Sequence, residues 1–228
     1  MRLYLILNVV IIAIPLALTF APRVYYYRKL KPLAFSILIV GSMFVIWDAV
    51  ASGRGDWSFN NEYVHGFNIF GLPFEEILFF ITVPYSCLFL YETFRTYIKE
   101  TAFSINKHIY GILALLFFTG AIIFINRSYT ATVLLISAII FVSARFCFKT
   151  IFVSNLYWLY ILICTALFAV FNYFLTSLPV VTYAEGAIIG LRITSIPVED
   201  FFYNFSLLSL YLIFYRFAED KWGRRASP

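Results

Sequence analysis

The chain has 228 residues, of which 62% are hydrophobic and only 13% are charged, and its mean hydropathy is +0.87. Soluble domains carry about a quarter charged residues, so this composition excludes an ordinary soluble enzyme and indicates a polytopic membrane protein. The net charge of +5 is spread over the loops in a way that fits membrane orientation and not nucleic-acid binding.

Seven continuous apolar segments follow one another along the chain. Each is about 17–23 residues long, the length that a helix needs to cross a membrane. Their apolar residues are continuous and not alternating, which predicts helices instead of barrel strands. We therefore predict an all-α polytopic membrane protein of about seven transmembrane helices, the first retained and not removed as a signal peptide. The predicted spans are residues 3–21, 33–51, 73–92, 109–125, 131–148, 156–176 and 199–216.

Lysine and arginine are unevenly divided between the two ends of these spans. One end carries only Arg2, Arg54, Arg127 and Arg192. The positive-inside rule therefore places the N-terminus outside and the C-terminus in the cytoplasm. The other, basic end carries Arg23, Arg28, Lys29, Lys31, Arg95, Lys99, Lys107, Arg145, Lys149, Arg216, Lys221, Arg224 and Arg225.

A short acidic motif occurs twice, each time where an apolar span begins. Leu72-Pro73-Phe74-Glu75-Glu76 returns 124 residues later as Ile196-Pro197-Val198-Glu199-Asp200. The same spacing aligns Asp48 with Asn172. Self-similarity at a fixed spacing indicates an internal duplication.

The duplication divides the chain into two units of three spans. The first unit is predicted at residues 1–105, a connecting span at 106–128 and the second unit at 129–228. An even number of spans separates equivalent helices, which predicts a parallel tandem repeat about an axis along the membrane normal. Both motifs then lie at the extracytoplasmic end. The long loops before them, 52–72 and 177–198, are interpreted as walls or lids of a site.

The acid pairs have a structural and a functional interpretation. Proline favours the first turn of a helix, and acids there offset the helix dipole, so each motif would serve as a helix start. However, both members of each pair are acidic, their flanks are apolar, and adjacent helical residues point about 100° apart, so one should face the bundle interior. Acids inside a membrane are candidates for function. We predict Glu75, Glu76, Glu199 and Asp200 as catalytic residues.

The protonation state decides what such a pair can do. The helix start favours the anion by about 0.3–1 kcal/mol, whereas full burial opposes it by up to about 3–5 pK units, and two neighbouring carboxylates resist ionising together. In a dry site one acid would stay protonated beside an ionised neighbour, which is the pattern of an acid–base pair. In a wet site the pair would be a solvated helix cap.

Several further residues are candidates for supporting the site. Asp48 and its counterpart Asn172 would either lock neighbouring helices by hydrogen bonds or add polar groups to the same pocket. Aromatic rings that follow the acid pairs offer faces that stabilise a carbocation. His65 is another candidate, without metal-type spacing. The supporting residues that we predict are Pro73, Pro197, Asp48, Asn172, Phe79 and Tyr203.

The sequence lacks the signatures of several cofactors. No Gly-x-Gly-x-x-Gly follows a strand, and no nucleotide, haem or zinc pattern appears. The last span has no lysine to anchor retinal, and no pair of diphosphate-binding motifs indicates a prenyltransferase. We expect no cofactor, no metal and no nucleic-acid partner.

The two motifs, in this topology, resemble those of the flavin-independent lycopene cyclases. The resemblance covers essentially the whole chain, which is similar to the fused form of two homologous units without an attached phytoene synthase. The second half departs from the pattern: Asn172 stands where the first half has Asp48, and Asp200 replaces the second glutamate. Whether both halves are active is therefore open.

The resemblance implies an isomerase, an intramolecular lyase that turns the linear ends of lycopene into β-ionone rings, giving γ- or β-carotene, in carotenoid biosynthesis. A carboxylic acid protonates the terminal C1=C2 alkene, the C5=C6 alkene attacks the cation, and a carboxylate removes the proton at C6. The reaction is redox-neutral. The implied surroundings are the bacterial cytoplasmic membrane, with lycopene or a related linear carotenoid as substrate and other carotenoid enzymes as contacts.

Three other functions stay open. A carotenoid hydratase would use the same protonation and capture the cation with water. A proton-coupled transporter also fits a parallel repeat, although the fourth and fifth spans contain no internal acid. A membrane scaffold without catalysis would use the acids only as helix caps.

Overall fold

The protein is helical, and its computed structural model describes residues 2–223. The helices are α1 Leu3–Ala17, α2 Leu30–Ser36, α3 Ser42–Arg54, α4 Phe74–Tyr97, α5 Lys107–Ile123, α6 Ser128–Phe146, α7 Lys149–Phe152, α8 Asn155–Ser177 and α9 Val198–Gly223. The short strands are β1 Trp57–Phe59, β2 Asn68–Ile69, β3 Leu72–Pro73, β4 Val181–Tyr183, β5 Arg192–Ile193 and β6 Ile196–Pro197.

Helices occur at all seven predicted positions, with different lengths. By length and composition, five described segments could cross a membrane: Tyr26–Arg54, Phe74–Tyr97, Ser128–Phe146, Asn155–Ser177 and Val198–Trp222. The first and fourth predicted spans are shorter apolar helices, α1 and α5. The second predicted span begins earlier than expected, at the 3-10 turn Tyr26–Lys29. It contains a π-helical turn, Ile37–Gly41, between α2 and α3. The structure thus supports a helical membrane protein, and the number of seven spans stays a prediction.

The two long loops build the same hairpin directly before each acid pair. In the first, Asn68 pairs with Pro73, and in the second Arg192 pairs with Pro197. Each helix begins at the residue after the proline. The prolines therefore precede the helix in extended backbone, with φ −56° and ψ 143° at Pro73, and do not stand in its first turn. Both acids of each pair lie in that first turn.

At the loop end of the bundle, the two halves meet through equivalent residues. Strands β1 and β4 pair antiparallel, with Ser58 opposite Thr182, its equivalent 124 residues later. Their hydroxyl oxygens lie 2.9 Å apart. An antiparallel pair that places equivalent residues opposite each other is what a twofold axis between the halves produces.

At the opposite end, equivalent residues of α4 and α9 also meet. Tyr215 donates a hydrogen bond to Glu92 at 2.9 Å, and Arg216 donates one to Tyr91 at 2.6 Å. Tyr91 is equivalent to Tyr215, and Glu92 to Arg216. Arg95 bonds both carboxylate oxygens of its own equivalent, Glu219, at 2.9 Å. Glu92 is thus equivalent to Arg216, and Arg95 to Glu219, so equivalent positions of the two halves carry opposite charges. This arrangement favours pairing of the first half with the second half over pairing of two identical halves.

The basic residues divide between the same two ends. Arg2 contacts the carbonyl oxygen of Glu62, Arg54 pairs with Asp56, and Arg127 and Arg192 contact loop carbonyl oxygens. All four lie at the loop end, as the sequence predicts. Lys29, Arg95 and Arg216 gather around Glu219 at the other end. Arg224 and Arg225 lie outside the described residues. Which end faces the cytoplasm stays a prediction.

The double variant Ser58→Cys/Thr182→Cys tests both the strand pairing and the predicted orientation. Opposed side chains of an antiparallel pair suit a disulfide, and disulfides form outside the cytoplasm. We expect the two halves to stay linked on a non-reducing gel after proteolytic cleavage between α4 and α5, without added oxidant. The control is Ser58→Cys alone. Linkage only after added oxidant would contradict the predicted orientation, and no linkage at all would contradict the strand pairing.

Candidate functional site

A small pocket of about 60 Å³ lies beneath the paired strands, where the two halves meet. Glu76 reaches it from the first turn of α4 and Asp200 from the first turn of α9, and Asp48 and Asn172 complete its polar lining. Its other lining residues are apolar or aromatic, namely Tyr4, Trp57, Phe59, Phe79, Tyr129, Phe168, Leu175, Val181, Tyr183 and Tyr203. Six of the residues predicted from the sequence are thus brought together: Glu76, Asp200, Asp48, Asn172, Phe79 and Tyr203.

Asp200 is held by three hydrogen-bond donors. Tyr129 donates to Oδ1 at 2.7 Å, and both Asn172 and Tyr183 donate to Oδ2, at 2.7 Å and 2.9 Å. Tyr183 lies in β4, outside the helices, and burial together with the neighbouring Asp200 raises the pKa of its hydroxyl well above the usual range. The hydroxyl therefore keeps its proton and stays a donor. Hydrogen bonds donated to a carboxyl group favour its ionised form.

Glu76 has fewer donors and another carboxyl group beside it. Tyr4 donates to its Oε2. Asp48 lines the same pocket, and its Oδ2 has no hydrogen-bond partner within residues 2–223. Among the described residues, 2–223, none that lines the pocket is Lys, Arg or His. Three carboxyl groups without a cation cannot all be ionised at low cost in a buried site, so this side of the pocket is suited to hold a transferable proton.

Glu75 and Glu199 point away from the pocket and fasten the loops. Glu75 Oε1 accepts the backbone N–H of His65 at 2.8 Å and lies 2.6 Å from His65 Nδ1. Glu199 Oε1 accepts the backbone N–H of Ile189, the equivalent of His65, at 2.7 Å, and the hydroxyl of Thr130 at 2.6 Å. In both residues Oε2 is buried without a partner in the described chain. The structure thus separates the members of each acid pair: the first accepts hydrogen bonds from a loop, and the second lines the pocket.

All four acids are buried, with exposures of 0% for Glu75, 8% for Glu76, 1% for Glu199 and 3% for Asp200. This burial matches the dry site that an acid–base pair requires, and does not match a solvated cap. Pro73 and Pro197 do not line the pocket. They are the last residues of the hairpins that directly precede the acids.

The sequence did not single out the tyrosines that bond the acids. Tyr4 and Tyr129 lie near the starts of α1 and α6, the first helices of the two units, and each donates to the second acid of its own unit. They are 125 residues apart, whereas the motifs are 124 residues apart. An alignment of the two halves at a constant spacing of 124 residues therefore does not pair the two tyrosines. Tyr183 and Trp57 come from the strands of the long loops, which the sequence did identify as site walls.

An apolar cavity of about 320 Å³ adjoins the pocket between α1, α4 and α8. The two share Tyr4, Phe79, Phe168, Asn172 and Leu175 as lining residues. This volume lies in the range of about 300–1,000 Å³ that is typical of small-molecule sites.

Within residues 2–223 no group of three or more His, Cys, Asp or Glu side chains is arranged to hold a metal ion.

Removing the hydrogen bonds that Glu199 accepts should make the loop before α9 open more readily and leave the helix bundle intact. In Glu199→Leu the N–H of Ile189 and the hydroxyl of Thr130 lose their acceptor, and each unpaired buried donor costs about 1–3 kcal/mol. We expect proteolysis within residues 184–195 to become about tenfold faster or more, because local opening becomes cheaper. Glu185→Leu, at an exposed loop position, is the control. Equal cleavage of both variants would show that Glu199 does not fasten this loop.

Comparison with known proteins identifies the family of this chain. Searches of curated proteins and of solved structures found no match. The family model described as lycopene cyclase matches residues 1–94 and 126–218, which together are most of the chain and include both acidic motifs. The unmatched stretch between them contains the whole of α5. The chain belongs to the lycopene cyclase family.

Proposed function

We propose that the protein is a lycopene β-cyclase in which Glu76 is the general acid and Asp200 the base. One observation carries the proposal: an acid from each half of the chain faces the same buried pocket, and that pocket adjoins an apolar cavity. Family membership supports a role in carotenoid biosynthesis. The β-ring product and the assignment of the two acids are our inference.

The surroundings of the two acids support these roles. Asp200 accepts three hydrogen bonds, which stabilise a carboxylate that is ready to remove a proton. Glu76 has Tyr4 as a donor and Asp48 as a neighbour in the pocket, so a proton held on this side is the one available for donation. Acid–base assignments follow from such pairs of titratable groups in different surroundings.

The reaction then proceeds by two proton transfers around one ring closure. Glu76 donates its proton to C2 of the terminal C1=C2 alkene, leaving a tertiary cation at C1. The electrons of the C5=C6 alkene form the C1–C6 bond and move the positive charge to C5. Asp200 removes the proton from C6, and the C5=C6 double bond of the β-ionone ring forms. Glu76 ends ionised and Asp200 protonated, and a return of the proton through the pocket resets the site without an oxidant.

Aromatic rings around the pocket support the cationic intermediate. Tyr203 packs against Trp47 at 5.1 Å between ring centroids, and Tyr129 packs against Trp57 at 5.0 Å. Aromatic faces attract cations electrostatically.

We propose that Glu75 and Glu199 act as positioning residues. They fix the loops whose strands roof the pocket. The contacts between equivalent residues at both ends of the bundle support a parallel repeat about an axis along the membrane normal. We further infer seven spans, a position in the bacterial cytoplasmic membrane with the pocket near its outer face, and an isomerase of the intramolecular lyase class.

Glu76→Gln and Asp200→Asn test the roles of the two acids. Loss of a general acid or base costs about 10²–10⁴-fold in rate, so lycopene-producing cells with either variant should contain almost no cyclic carotenoid. The matched control is Glu62→Gln, an exposed loop residue, with membrane levels of all variants compared by immunoblot. Uncyclised, hydroxylated products from the unaltered chain would indicate a hydratase. Full cyclisation by either variant would contradict the assignment.

The source of the ring proton gives a second test. In membranes incubated in D2O, the unaltered chain should place one deuterium at C2 of each new ring, because the carboxyl group of Glu76 exchanges with solvent between turnovers. Mass spectrometry of the product measures this incorporation. Rings without deuterium would contradict protonation by an exchangeable acid.

A further inference from the structure

We propose that the apolar cavity between α1, α4 and α8 is a channel that takes one end of a linear polyene sideways from the lipid to the acid pocket. We also propose that the equivalent groove of the other half is closed by side chains. The protein then treats the two ends of its substrate one after the other in a single site. This inference rests on the proposed function and deepens it.

The floor of the cavity is a stripe along α4 that begins at the proposed acid. Phe79, Val83, Cys87 and Leu90 line the cavity and follow Glu76 by 3, 7, 11 and 14 residues. This spacing places them on one face of the helix. At 1.5 Å per residue the stripe is about 21 Å long. A linear chain that lies along it would have its end at Glu76.

The two walls carry matching stripes. On α1, Leu7, Ile11 and Ile14 continue from Tyr4, which donates to Glu76. On α8, apolar residues such as Phe168 and Cys164 lead away from Asn172, which donates to Asp200. On all three helices, the stripe therefore starts at a residue of the acid pocket and is mainly apolar beyond it. The cavity lining also includes Ser86 and Asn204, and both have hydrogen-bond partners: Ser86 donates to the carbonyl oxygen of Ile11 at 3.0 Å, and Asn204 donates to Thr165 at 3.0 Å. This lining suits a hydrocarbon whose reacting end lies at the acids.

The cavity opens towards the lipid between α1 and α8. Both helices pack against α4 and have little contact with each other. Three of the lining residues are well exposed, Val10 at 53%, Ile14 at 68% and Leu167 at 44%. Because these residues lie on the apolar outer surface of the bundle, the opening faces hydrocarbon and not water. A lipid-soluble substrate can reach it without leaving the membrane.

The equivalent groove on α9 is filled. The residues that correspond to Phe79, Val83 and Cys87 are Tyr203, Leu207 and Tyr211. The ring of Tyr203 packs against Phe44 at 5.2 Å between centroids, and Leu207 and Tyr211 are 1% and 0% exposed.

Of these three side chains, Tyr211 is fixed in place by its hydroxyl group. Tyr211 donates a hydrogen bond to the carbonyl oxygen of Phe80 at 2.9 Å. A Cβ at Gly41 would lie only 3.2 Å from that hydroxyl, so the glycine makes room for it. The change from tyrosine to Cys87 in the other half is what leaves that side open.

Cys87→Phe tests the channel by filling it. The larger ring would stand on the path of the polyene and misplace its end from Glu76, for which we expect a loss of turnover of about a hundredfold. Purified protein should also retain less lycopene in detergent, read from the polyene absorbance. Cys147→Phe makes the same chemical change at an exposed position at the end of α6, and should change neither quantity. Size-exclusion elution in detergent reports correct folding.

A second pair of variants tests the opening of the channel at exposed positions of α1, without changing the packing inside the bundle. Ile14→Trp narrows the opening at an exposed position that lines the cavity, and Val9→Trp is its control on α1, 47% exposed and outside the lining. We expect slower lycopene uptake and turnover only for Ile14→Trp. Unchanged retention and turnover in both Cys87→Phe and Ile14→Trp, beside an active unaltered chain, would overturn the channel and leave the proposed function standing.

The order in which products with one ring and with two rings appear tests whether a single site treats both ends of the substrate. With a limiting amount of protein and excess lycopene, a product with one ring should appear free in the lipid before any product with two rings. Bicyclic product from the first time points, without a free monocyclic precursor, would overturn the single site. If the unaltered chain does not cyclise lycopene, the proposed function fails, and loss of lycopene retention in Cys87→Phe still decides whether the cavity binds a polyene.

Discussion

Three carboxyl groups share one buried pocket at the place where the two halves of the chain meet, and the described part of the chain places no cationic side chain among them. Asp48 and Glu76 come from the first half and Asp200 from the second. Ionised carboxylates are costly in a membrane interior unless donors or cations compensate them. At least one of the carboxyl groups is therefore favoured to keep its proton, and hydrogen bonds can hold another in its ionised form. The tyrosines, the asparagine and the roofing strands are arranged to meet this constraint.

In the proposed site, the two halves place two acids at equivalent positions, and differences between the halves give these acids different surroundings. The change from Asp48 to Asn172 turns a third acid into a donor, and this donor bonds Asp200. A second divergence lies deeper in the bundle, where Cys87 leaves space that Tyr211 fills in the other half. Under our proposal, one half supplies the general acid and the channel, and the other half supplies the base.

Much of this could be predicted from the sequence because the signals are local. Hydropathy predicts the positions of the helices, and the spacing of 124 residues predicts the equivalence of the motifs and of Asp48 with Asn172. Helix ends were less accurate. The second span extends to Tyr26 because Lys29 pairs with Glu219, so a charge that suggested a loop is compensated. The separation of Glu75 from Glu76 depends on hairpin geometry, and Tyr4 and Tyr129 are one residue out of register, so neither could be read from the motifs.

The central claim is that one pocket uses one acid from each half of the same chain. Co-expression of the full-length Glu76→Gln and Asp200→Asn variants in lycopene-producing cells tests it most directly, with each variant alone and the unaltered chain alongside. Every chain then lacks one of the two acids in its own pocket, so the account predicts that cyclic carotenoids remain absent. Restored formation of rings would contradict it, because the acids would then act in independent sites or across two chains.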